Sequence, residues 1–140
     1  LIRQTAIIFK VYLKMNEHYQ LGLLCLTHLL IGADGDIDDY EKNALNIIRK
    51  NEKISDATFN RFEQLIAGKK EREVFQTSID LLNQCSFEEK LKTFVLLYKL
   101  SEVDGRVHVG EVRLLLYSIK LADIEFDEVV NRAMEAPSLL

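Results

Sequence analysis

Five acids, Asp34, Asp36, Asp38, Asp39 and Glu41, fall within eight residues, a density that repels itself unless solvent or a cation neutralises it. The run Asp34-Gly35-Asp36-Ile37, closed by Glu41, returns 70 positions later as Asp104-Gly105-Arg106-Val107, closed by Glu111, in a chain of 140 residues. Both copies read Asp-Gly-x-[Ile/Val]-x-x-x-Glu. Carboxylates at the first and eighth positions of a tight interhelical loop can converge, and loop carbonyls add further oxygens; that is hard-cation chemistry. If the duplication sets the loops side by side, Asp34, Glu41, Asp104 and Glu111 supply four carboxylates. The spacing is not that of an EF-hand loop, because glycine follows the first Asp directly and the Glu arrives too early.

The same residues also suit a plain helix stop. Gly35 and Gly105 can take the left-handed conformation that ends a helix, and an Asp before Gly folds back on nearby amides. Ile37 and Val107 plug the turn into the core, and Glu41 completes a capping box with Asp38. Two features sit awkwardly with that reading. Asp34 and Asp104 face the negative pole of the preceding helix, and copy two keeps Glu111 although His108 replaces the capping Asp. On the residues alone, both readings stand.

The elements that must position these loops are helices. Ala6, Ile7, Phe9, Tyr12 and Leu13 mark a helix over residues 1–14. Asn16 is placed to cap a second, from Glu17 to Gly32, apolar nearly all round, as a central helix must be. Asp38 opens a third, with Ala44, Leu45 and Ile48 on one face. Ser55 caps a fourth, through Phe59, Phe62 and Ile66, which Gly68 ends. A fifth covers Glu71 to Gln84. Ser86-Phe87-Glu88-Glu89 is a capping box that opens a second apolar helix, running to Val103. Val112, Leu115, Leu116 and Ile119 mark the next, and Val129, Val130 and Met134 a last one before Pro137.

At the offset of 70, Leu21, Leu26, Leu30, Leu45 and Ile54 meet Leu91, Leu96, Leu100, Leu115 and Ile124. The expectation is an all-α, single compact domain over 1–140, of about seven to eight helices. Two repeated units, about 1–70 and 71–140, each carry an apolar central helix.

Composition narrows the function classes. One proline and six glycines disfavour an all-β chain. A net charge of −4 and a pI of 5.4 argue against nucleic-acid binding. The longest apolar run, Leu21 to Ala33, is 13 residues, too short for direct membrane insertion. Cys25 and Cys85 form no disulfide framework, which fits a cytoplasmic location. There is no phosphate-cradling Gly-rich loop, Ser elbow or His-x-x-x-His pair, so an enzyme is not expected. His28, matched by Tyr98 in the repeat, reads as a satisfied core histidine.

The two acidic motifs, each between an apolar and an amphipathic helix, resemble those of the TerB-like (tellurite resistance protein B-like) family over nearly the whole chain. The resemblance implies an all-helical cytoplasmic protein without an established enzymatic activity, associated with tellurite resistance, stress response and membrane-linked signalling complexes. It also implies a divalent metal, one of calcium, magnesium, manganese or zinc, held by Asp34, Glu41, Asp104 and Glu111. Arg106 and His108 depart from the acidic pattern and put a symmetric pair of sites in doubt. The functional expectation is a cation-binding module acting through a protein partner or self-association. Its alternative is a structural scaffold or oligomerisation domain with the motifs as helix stops and caps.

Overall fold

A helix carrying Leu21, Leu23, Leu24, Cys25 and Leu26 in succession has no polar face to show to water, so neighbours must cover every side of it. The structure, a computed structural model, describes residues 2–32, 38–103, 107–118 and 124–137, with side chains from residue 17 onward. The described residues form seven α-helices and no strand: α1 (Ile2–Ile31), α2 (Asp39–Glu52), α3 (Asp56–Ile66), α4 (Glu71–Leu82), α5 (Phe87–Val103), α6 (Val109–Ser118) and α7 (Phe126–Glu135). The fold is all-α, as the periodicity requires. Helices α2, α3, α4 and α5 pack on α1, and α6 and α7 pack on α5. Leu23, Leu24, Leu26, Phe94, Leu97 and Leu100 are sealed in the core between them.

The expected break at Asn16 does not occur, and α1 runs unbroken for 30 residues. A lone asparagine does not stop a helix when Leu13, Lys14, Met15 and Glu17 flank it and neither Gly nor Pro lies near. In the second half the corresponding stretch is divided, because Asn83 ends α4 and Ser86 restarts the chain. There Ser86 Oγ accepts from Glu89 N–H (3.2 Å) while Glu89 Oε1 accepts from Ser86 N–H (3.0 Å), a closed capping box. Helices α2 and α6 begin 70 positions apart, as do α3 and α7. Ser55 caps α3 through Thr58 N–H, and Gly68, at φ +68°, turns the chain beyond it. Lys99, buried on α5, donates to the carbonyls of Ala133 (3.2 Å) and Ala136 (3.0 Å), satisfying the C-terminal end of α7.

No described helix is long and apolar enough to cross a membrane. Cys25 and Cys85 are free and buried. Burial pushes the Cys25 thiol up to about 12, weakly opposed by the Ser78 hydroxyl, and burial with Glu89 nearby pushes Cys85 to about 11. Both thiols should therefore resist alkylation at pH 8 in the native protein and react on denaturant addition, which intact-mass analysis reads. The linkage has a sign. Both thiols ionise in the unfolded chain near 9.0 and later in the folded one, so their contribution is complete below pH 9 and is lost as pH rises toward 11–12.

Candidate functional site

The apolar stripe of α2 has a period of three and four residues, Ala44, Leu45 and Ile48, and its first member is Glu41. A glutamate in that register must enter the core. Glu41 does so, with its side chain fully enclosed. Asp38 holds the start of the helix, its Oδ1 accepting from Glu41 N–H at 2.9 Å. The expected capping box closes only halfway, because the Glu41 carboxylate turns inward rather than back toward Asp38. Its Oε1 meets Nδ1 of His28, in the last turn of α1. Helix poles suit this pairing, since the first turn of α2 favours negative charge and the last turn of α1 favours positive charge.

Two neighbours shape the corner. Phe62 of α3 stands edge-on to the His28 ring, with centroids 6.2 Å apart at 72°, and is itself backed by Phe59 at 5.4 Å. Gly32, whose N–H closes α1 on the His28 carbonyl at 2.8 Å, lies under the carboxylate. A Cβ built on Gly32 would fall 2.6 Å from Glu41 Cδ, so the buried glutamate needs glycine there for space. Glu41 Oε2 is left enclosed with no hydrogen-bond partner, alone in this among the described buried side chains. An enclosed carboxylate oxygen without a donor costs about 1–3 kcal/mol or more. A cation would remove that cost.

Copy two builds no such corner. Tyr98 stands where copy one has His28 and packs edge-on to Phe126, at 6.0 Å and 71°. Glu102, exposed, stands where copy one has Gly32. The buried stripe of α6, Val112, Leu115 and Leu116, is displaced by one residue relative to α2, so Glu111 falls off it. Glu111 is exposed and lines an open cleft of about 800 Å³ between the end of α1, α4 and α6, with Leu30, Phe75 and Arg72 nearby. Val107 is buried, as a turn plug should be.

Of the four carboxylates the motif picks out, Glu41 is buried and Glu111 exposed, and Asp34 and Asp104 lie outside the described residues. Gly35, Gly105 and Ile37 lie outside them too. Among the described residues, no three His, Cys, Asp or Glu side chains converge as a metal site. His28 is the residue that motif spacing did not bring forward. The signal was available in the stripe: extending Ala44, Leu45 and Ile48 back one turn reaches Glu41, and a buried glutamate demands a buried partner.

Compared with known proteins, the chain matches no family model, no curated protein and no solved structure. The TerB-like resemblance therefore rests on the motif residues that carry it.

Proposed function

We propose that the chain is a non-enzymatic helical module that binds a divalent cation at the first Asp-Gly corner and acts through a protein partner. What supports this is one atom. Glu41 Oε2 is enclosed, unpartnered and in contact with Gly32, two residues before Asp34 in sequence. A cation there would tie the end of α1 to the start of α2, fixing a corner whose state a partner could read. The proposed site is asymmetric: Glu41 is its buried ligand, and Glu111, its counterpart in the repeat, is exposed.

The test is thermal. Chelator-stripped protein should gain stability with a saturating divalent ion, about 2.7 kcal/mol at a hundredfold excess over Kd. Chelator should reverse the gain, and Glu41→Gln should abolish it. No shift at millimolar metal would sink the proposal. A second reading, in which the motifs are helix stops within a scaffold, draws on the Asp38 cap and the Val107 plug. It expects Asp34→Asn with Asp104→Asn to leave metal response and partner binding unchanged.

A further inference from the structure

We propose that the chain self-associates through the cleft between α4 and α6, each copy seating its α6 in the cleft of the other. The inference stands apart from the cation reading and concerns a different face of the domain. It starts from α6, which is apolar on two sides. Val112, Leu115 and Leu116 turn into the core. Leu114 and Tyr117, each 66% exposed, form a second stripe with Gly110 on the opposite side of the helix. The fold does not require that stripe. Helix α2, which begins 70 positions earlier, shows Lys42, Asn43, Asn46 and Lys50 to solvent instead.

The open cleft of about 800 Å³ runs beside the second stripe, and half-buried Leu29, Leu30 and Phe75 continue its apolar surface. The two walls of the cleft differ in charge. Lys70 and Arg72 outweigh Glu71 on the α4 wall, and Glu111 makes the α6 wall negative. Arg113 does not offset Glu111, because its guanidinium lies over the Phe126 ring at 5.2 Å. Among the described residues, Lys70 and Arg72 pair with no carboxylate and Glu111 with no cation. A partner of one charge would be repelled by one wall, whereas a second copy matches both. A two-fold axis at Leu114 sets the acidic wall of each copy against the basic wall of the other. The same antiparallel pairing brings Tyr117 of each copy over the Gly110–Glu111 turn of its mate. Gly110 has open space where a Cβ would lie, so the ring meets no obstacle there.

The experiment is sedimentation velocity of the full chain in chelator, from micromolar to near-millimolar concentration. The native protein should show a monomer–dimer equilibrium that weakens as salt is raised. Leu114→Glu, at an exposed position, should raise the dimer dissociation constant at least about tenfold and leave the circular dichroism spectrum unchanged. Arg72→Glu and Glu111→Arg should each weaken association. Combined, they should return it to within about threefold of native, because the ion pairs re-form with their signs exchanged. That rescue cannot come from a damaged fold. A native chain that stays monomeric throughout overturns the proposal and leaves the cleft to a different protein. A dimer indifferent to Leu114→Glu, or a double charge variant no tighter than the single ones, overturns it as well.

Discussion

Phe62→Ala should remove about 3–5 kcal/mol of stability, the usual cost of emptying a sealed aromatic site. At about 3 °C per kcal/mol for a chain of this size, the melting temperature should fall by roughly 10–15 °C. The size of the effect follows from where the ring sits. Phe62 is fully buried on α3, tilted against Phe59 at 5.4 Å and edge-on to His28 at 6.2 Å. The guanidinium of Arg49 lies over the Phe59 ring at 4.2 Å, so the aromatic stack ties α2 to α3 as well as α3 to α1. No neighbour can collapse into the space without moving a helix. Two controls make the result interpretable. Phe62→Leu should recover most of the loss by refilling volume, and Met134→Ala, 78% exposed on α7, should change stability by no more than about 0.5 kcal/mol. Thermal denaturation followed by circular dichroism checks all three. A Phe62→Ala loss no larger than that of Met134→Ala would show that the α1–α3 contact is not part of the core.

The helices were legible because their signals are local. Periodic leucines, the serines at 55 and 86 and the glycine at 68 act within one or two turns, and each lies where its element begins or ends. The continuity of α1 was not. Asn16 reads as a cap in isolation, and only the strength of the surrounding helix formers decides that the chain passes through it. The site divides in the same way. A repeated Asp-Gly motif is visible in one dimension, but whether its glutamate points in or out depends on a stripe offset of one residue between α2 and α6. That offset turns the side chain by about 100° around the helix, enough to bury Glu41 and expose Glu111. The His28 contact lies one step further away, since it joins residues 13 positions apart across a corner. No helical or strand period connects them.

Gly32→Ala should destabilise the fold by about 1–3 kcal/mol, the range for forcing atoms into a filled core, and Glu41→Ala in the same chain should erase that penalty. Gly68 is the described glycine with a left-handed backbone, and Gly32 does not share its positive φ. An alanine at 32 therefore has no conformational objection to meet. Its methyl group meets the carboxylate instead, 2.6 Å from Glu41 Cδ. The carboxylate cannot withdraw, because Oε1 is engaged by His28 and the side chain is enclosed on all sides. Glu41→Ala alone is also costly, since it leaves His28 buried without its partner. The double variant distinguishes the causes. If space is the reason for glycine, the two losses are strongly non-additive, with a coupling of about 1–3 kcal/mol, and Gly32→Ala is nearly neutral once the carboxylate is gone. If backbone freedom were the reason, the alanine penalty would persist unchanged in the Glu41→Ala background. Chemical denaturation of the four chains measures the coupling directly, and a purely additive cycle would mean that Gly32 and Glu41 do not share the corner.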